Sequence, residues 1–140
     1  MKEVLSGLLW IANTEDAQDI RVVLSEGIAV VIDLACEELP IAYPRDMVYC
    51  RFPIVDGTGN PAYLLKAAID SAASFVDANV PTLVACSGGM SRSPAIAAAA
   101  MARLPGMTFD AALETVTRTG PIDVSTALWL DVSALANRRA

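Results

Sequence analysis

The apolar residues of the first part of the chain follow two alternating patterns. Short continuous runs at 7–12, 28–32, 47–54 and 82–85 predict strands, and the continuous ones are typical of strands covered on both faces. Between these runs, apolar residues recur every three or four positions, which predicts two amphipathic helices. Strands that alternate with helices favour an α/β fold built on a parallel sheet.

Polar residues, glycine and proline predict where these elements begin and end. Asn13 or Thr14 is placed to cap the first helix, and Gly27 lies where a helix-ending glycine belongs. Residues 33–40 predict a loop, and Pro53 predicts that the third strand lies at an edge of the sheet or terminates there.

The rest of the chain predicts helices only. Residues 95–102 form a continuous apolar segment, Thr108 is placed to cap a further helix, and a last helix begins near Ser125. We therefore expect an α/β fold with a small, mostly parallel central sheet of four to five strands, flanked by about five helices. The length fits a single domain, residues 1–140.

The segment Cys86-Ser-Gly-Gly-Met-Ser-Arg92-Ser93 connects a predicted strand to a predicted helix. In this arrangement backbone N–H groups converge on an anion, assisted by the positive end of the helix dipole. Cys86 would lie under a bound phosphate, with the planar donor fork of Arg92 beside it. Strand ends near Asp33, Ile54 and Cys86 should meet at the carboxyl edge of the sheet, where ligands bind. The sequence therefore predicts a phosphate-binding loop with a cysteine nucleophile.

Each residue of the loop has a role in this hypothesis. A helix N-terminus beside an arginine favours the thiolate form of a cysteine, so Cys86 would attack phosphorus. Arg92 would pair two oxygens of the transferring phosphoryl group, and Ser93 would donate a hydrogen bond to the departing sulfur. The residues expected to bind the phosphate are Ser87, Gly88, Gly89, Met90, Ser91 and Arg92. The alternative, a buried cysteine before an ordinary turn, leaves an arginine at the start of an apolar helix unexplained.

Cleavage of a phosphate ester also needs an acid that protonates the leaving oxygen. Asp56 is the candidate, because it follows a strand whose end should lie at the same edge. Its alternative interpretation is a turn former, since Asp-Gly is a common turn pair. The residues alone favour neither role.

Composition and charge narrow the classes of function. The net charge of −6 argues against nucleic acids or an anionic membrane as partners, since the basic residues are scattered apart from Arg138 and Arg139. The chain has no histidine and its three cysteines lack zinc-site spacing, which argues against histidine triads and metal sites. No apolar run approaches the roughly 18 residues of a membrane span, and the N-terminus has no signal-peptide pattern. We expect a cytoplasmic enzyme without a cofactor.

The spacing Cys86-x5-Arg92-Ser93 between a strand and a helix resembles the signature of cysteine-dependent protein phosphatases, in particular the small dual-specificity type. This resemblance implies a phosphotyrosine-phosphatase-like fold. It also implies a phosphorylated protein or a small phosphate ester as the substrate, and a cysteinyl-phosphate intermediate.

Other segments resemble the same family in the same order, so that the resemblance covers nearly the whole chain. Residues 7–13 and 27–33 are similar to its first two strands, and residues 52–56 to the segment with its general acid. The resemblance thus implies that Asp56 is the acid. Residues 118–122 resemble the segment that braces its phosphate loop.

One position departs from the family, which usually has a histidine where this chain has Ala85. That histidine organises the loop and tunes the thiol, so we expect a less readily ionised Cys86 and an active but slower enzyme. The loop interior has no lysine, which argues against inositol phosphates. No long phosphotyrosine-recognition segment precedes the first strand, so we expect a shallow site for phosphotyrosine and also for phosphoserine or phosphothreonine.

Two other functions stay open at this point. A phosphate-binding module with little turnover is supported only by Ala85. A rhodanese-like sulfurtransferase also has a cysteine loop, but its chemistry needs neither Asp56 nor the arginine. The two remaining cysteines, Cys36 and Cys50, are expected in the core, with a Cys36–Cys86 disulfide under oxidation as a minority hypothesis.

Overall fold

The computed structural model describes residues 1–136, so Arg138 and Arg139 lie outside the described residues. Its strands are β1 (Lys2–Leu5), β2 (Leu9–Asn13), β3 (Val30–Ala35), β4 (Val48–Ile54) and β5 (Thr82–Cys86). They form one sheet in the order β1-β2-β5-β3-β4, in which β1 is antiparallel to β2 and the other pairs are parallel. The helices are α1 (Thr14–Gln18), α2 (Ile20–Ser25), α3 (Ala62–Asp77), α4 (Arg92–Met101), α5 (Phe109–Thr117) and α6 (Thr126–Ala136). The predicted α/β fold is confirmed.

Helices cover both faces of the sheet. β3 and β5 lie in its interior, and all of their residues are buried. Alternate residues of these strands pack with α3, α4, α5 and α6 on one face, and with α1 and α2 on the other. This double cover explains why the two strands are continuous apolar runs in the sequence.

Several predicted signals at the ends of elements are confirmed. The Asn13 side chain accepts a hydrogen bond of 2.8 Å from an N–H of α1, and Thr108 Oγ1 accepts one of 3.1 Å from an N–H of α5. Gly27, with φ of +77°, follows α2 in the left-handed conformation that ends many helices. The strand that contains Pro53 lies at the edge of the sheet.

Three details of the prediction are wrong. The sequence pattern does not predict β1, which Gly7, with φ of +66°, turns back into β2. The helix predicted before Gly27 is two helices, because Asp19 ends α1 and its side chain caps α2. Residues 33–35 are not a loop but the end of β3, because they continue its pairing with β4.

The parallel strands β3, β4 and β5 direct their carboxyl ends to one edge of the sheet. The loops that follow them, at 36–38, 55–60 and 87–91, therefore lie side by side, and α4 begins beside them. Among residues 1–136, no helix has the length and apolar character needed to span a membrane.

Candidate active site

The loop between β5 and α4 surrounds the sulfur of Cys86. The N–H groups of Gly89 and Ser93 donate to Cys86 Sγ at 3.2 and 3.4 Å, and Ser93 Oγ lies 3.3 Å from it. The cysteine is only 2% exposed. Backbone donors at a helix N-terminus suit a bound anion. The structure thus brings Cys86 and Ser93 together at the start of α4.

The loop takes this path because it packs directly on the connection between β2 and α1. The Thr14 N–H donates to the Ser87 carbonyl oxygen at 3.2 Å, and Thr14 Oγ1 donates to the Cys86 carbonyl oxygen at 3.4 Å. Gly89 has φ of +72°, and a Cβ at this position would lie 2.8 Å from Asn13 N. Both the conformation and the close approach require glycine here.

We expect Gly89→Ala to destabilise the fold, because a left-handed alanine costs about 1–3 kcal/mol before the clash with the Asn13 backbone is counted. Urea denaturation measures the free energy of unfolding. Gly88→Ala is the matched control, since a Cβ on Gly88 meets no atom within 4 Å. Equal losses of stability in the two variants would contradict this account.

The guanidinium of Arg92 lies beneath the loop and is held from one side. Its Nη1 donates to Glu37 Oε1 at 2.8 Å, to the Ile54 carbonyl oxygen at 2.9 Å and to the Leu34 carbonyl oxygen at 3.5 Å. Among the described residues, every hydrogen bond that the guanidinium donates comes from Nη1. Nε and Nη2 therefore remain for a bound anion, which the planar fork suits. Arg92 is only 4% exposed.

The neighbours of Arg92 stabilise its charged form. Burial alone would lower the pKa of Arg92, but the hydrogen bond from Arg92 to Glu37 and the charges of Cys86, Glu37 and Asp56 raise it above its ordinary value. The guanidinium consequently stays charged at neutral pH.

Glu37 is a site residue that the sequence analysis misses. Besides its pairing with Arg92, it accepts a hydrogen bond of 2.7 Å from Ser87 Oγ. Burial raises the pKa of Glu37, but the bonds from Arg92 and Ser87 outweigh it and lower the pKa below its usual value. A usable signal in the sequence is the position of Glu37, two residues after the end of β3 at the carboxyl edge of the sheet.

Asp56 faces the same loop from the end of β4. Ser91 Oγ lies 2.5 Å from Asp56 Oδ1. A cavity of about 210 Å³ opens here, and its lining residues are Asp56, Cys86, Gly88, Met90, Ser91, Arg92 and Asp123. The structure thus brings together the predicted nucleophile, arginine and acid, and adds a second carboxylate, Asp123, that the sequence analysis misses.

The segment before α6 braces the loop, slightly later in the chain than residues 118–122. The Asp123 N–H donates to the Met90 carbonyl oxygen at 2.8 Å, and the Ser125 N–H donates to Ser91 Oγ at 3.0 Å. These contacts hold the end of the loop, whereas Thr14 holds its beginning.

Ala85 lies on the other face of β5, away from the cavity. It is buried and packs with the cluster beneath α1 and α2, with Asp33 as its partner on β3. Asp33 accepts hydrogen bonds from Tyr49 Oη and from the Ala35 N–H. Asp33 and Tyr49 thus form a polar pair beside Ala85.

The three cysteines are free thiols in different surroundings. Cys50 is half-buried against the core, and burial raises the pKa of its thiol. Cys36 is exposed in the turn after β3, so its predicted place in the core is wrong. The Cys36–Cys86 disulfide stays a prediction.

Comparisons with known proteins bear on the fold. A scan against protein-family models and a search of curated protein sequences both find no match. Among solved structures, human DUSP28 has a TM-score of 0.85 at 18% identity, over 97% of this chain and 95% of that one. DUSP15 has a TM-score of 0.81 at 24% identity, over 98% of this chain and 87% of that one. The chain therefore has the fold of the dual-specificity phosphatases.

Proposed function

We propose that the protein is a metal-independent phosphatase that hydrolyses phosphate monoesters through a cysteinyl-phosphate intermediate. The observation that carries this proposal is that Cys86, Arg92 and Asp56 line one and the same cavity. A sulfur under backbone N–H donors, a guanidinium with free donors and a carboxyl group are the groups that the reaction needs. The shared fold of DUSP28 and DUSP15 supports the same reaction class.

In the first step, the Cys86 thiolate attacks phosphorus. A bond forms between sulfur and phosphorus, and the bond between phosphorus and the ester oxygen breaks. The protonated carboxyl of Asp56 gives its proton to that oxygen, so the alcohol or phenol leaves neutral. Arg92 and the loop N–H groups hold the charge that spreads over the phosphoryl oxygens.

In the second step, water attacks phosphorus and the bond between phosphorus and sulfur breaks. The Asp56 carboxylate, which lost its proton in the first step, takes a proton from the water. The Ser93 hydroxyl donates to the departing Cys86 sulfur, to which it already lies close at 3.3 Å. Inorganic phosphate leaves, and the enzyme returns to its starting state.

The substrate belongs to the same proposal. The exposed residue Met90 lines the cavity and offers apolar contact to an aromatic ring. We therefore place phosphotyrosine first, with phosphoserine and phosphothreonine as further substrates in a phosphorylated protein. We assign residues 1–140 to one catalytic domain. An exposed free thiol at Cys36 fits a reducing compartment such as the cytoplasm.

Hydrolysis of p-nitrophenyl phosphate in the presence of EDTA tests the proposed function. We expect turnover that EDTA does not reduce, and acid quenching during turnover should trap phosphate on Cys86. Wild-type protein that is folded but inactive on aryl phosphates would overturn the proposal. Activity that EDTA abolishes would overturn its metal independence.

Asp56→Asn should lower kcat by roughly 10²-fold or more, because an amide has no proton to give the leaving oxygen. The loss should be larger for phenyl phosphate than for p-nitrophenyl phosphate, since phenolate is the poorer leaving group. Asp110→Asn, in the exposed first turn of α5, is the control and should keep wild-type rates. An equal loss on both substrates would argue that Asp56 is not the acid.

A further inference from the structure

Ser91 connects the candidate acid to another part of the fold. Its Oγ lies 2.5 Å from Asp56 Oδ1 and accepts a hydrogen bond of 3.0 Å from the Ser125 N–H. Ser91 is only 8% exposed, whereas Asp56 is exposed, so the bond between them is partly buried. One hydroxyl thus joins the phosphate loop, the loop after β4 and the segment before α6.

The backbone beside Asp56 is fixed separately from its side chain. Asn60 closes the loop, since its Oδ1 accepts from the Val55 N–H and its Nδ2 donates to the Val55 carbonyl oxygen, both at 2.8 Å. Among the described residues, the Asp56 carboxyl group itself has Ser91 as its one hydrogen-bond partner. The direction of that carboxyl therefore depends on Ser91.

We propose that Ser91 is the positioning residue for the acid, an inference that rests on the proposed function. A hydroxyl has one donor and two acceptor sites. With the Ser125 N–H on one acceptor site, Ser91 donates its own proton to Asp56 Oδ1, whether Asp56 is a carboxylate or is protonated on Oδ2, and Oδ2 is left to carry the proton for the leaving oxygen. Asp56 alternates between these states during the two steps, and the same contact directs it in both.

Ser91→Ala should produce the kinetic signature of a misplaced acid. We expect kcat on phenyl phosphate to fall by roughly 10- to 100-fold, the loss typical of a hydrogen bond to a charged group. The loss on p-nitrophenyl phosphate should be much smaller, because that leaving group depends less on the acid. In an Asp56→Asn background, Ser91→Ala should lower the rate little further, because both changes remove the same function, the protonation of the leaving oxygen.

Three variants keep the test decisive. Ser91→Thr retains the hydroxyl and should restore the wild-type ratio of the rates on phenyl phosphate and p-nitrophenyl phosphate. Ser91→Gly also removes the hydroxyl, and it takes the place of Ser91→Ala in the test if Ser91→Ala does not fold. Ser87→Ala changes the neighbouring loop serine, which bonds to Glu37, and should lower both rates equally.

The inference is overturned if Ser91→Ala lowers both rates equally, or if its effect adds in full to that of Asp56→Asn. Either result leaves the proposed function intact, because wild-type turnover and the Asp56→Asn signature are measured independently of Ser91. Inactive wild-type protein would instead remove the proposed function itself.

Discussion

Cys86→Ser is expected to remove the aryl phosphatase activity, by roughly 10⁴-fold or more. A serine hydroxyl is a far weaker acid than a thiol, so the variant offers the loop N–H groups of Gly89 and Ser93 no anionic nucleophile. The fold should persist, because serine has nearly the shape of cysteine. Initial rates on p-nitrophenyl phosphate in EDTA measure the loss.

The same variant should still bind phosphate. Arg92 and the loop amides remain in place, and the hydroxyl brings no negative charge that repels the anion. Isothermal titration with phosphate measures this binding separately from turnover. Cys50→Ser is the matched control: Cys50 lies half-buried on β4 outside the cavity, and the variant should keep wild-type rates. Substantial activity in Cys86→Ser would show that another group is the nucleophile.

The central elements of the fold could be predicted because their sequence patterns have local causes. β3 and β5 are continuous apolar runs since helices cover both of their faces, and Asn13, Gly27 and Thr108 act on the backbone within one helical turn. β1 could not be predicted because it is a four-residue edge strand with a single buried residue, Val4, which gives its sequence no clear period. The break between α1 and α2 at Asp19 could not be predicted from the sequence because the apolar spacing continues across both helices.

The part of the candidate site that lies in one loop could be predicted from the sequence. Cys86, Arg92 and Ser93 share a short segment whose spacing has chemical meaning. The rule that parallel strands end at one edge predicts that Asp56 lies near them, but only the family resemblance favours Asp56 as the acid over a turn former. Glu37 does not follow from that rule alone. An acidic residue after a strand is common, and only the packing of the β3 turn against Arg92 gives this one a partner.

The contacts that cross the site could not be predicted from the sequence for a further reason. The bonds of Ser91 to Asp56 and to the Ser125 N–H join residues that are 34 or 35 positions apart in the chain. Such pairs depend on how α4 and α6 pack over the sheet, which no local pattern encodes. The sequence can therefore predict which groups perform the chemistry, while the groups that orient them emerge from tertiary packing.

Arg92→Lys is expected to lower kcat/KM by roughly 10²–10³-fold, even though the positive charge is kept. A lysine has a single ammonium group, so it must choose between Glu37 and the phosphoryl oxygens, which the arginine holds with different nitrogens. Arg103→Lys is the matched control, since Arg103 lies just beyond the other end of α4 and pairs with Asp70 away from the cavity. Steady-state kinetics in EDTA and thermal unfolding of both variants separate the effect on catalysis from any effect on stability. If Arg92→Lys keeps the kcat/KM of Arg103→Lys, the guanidinium does not hold the transferring phosphoryl group.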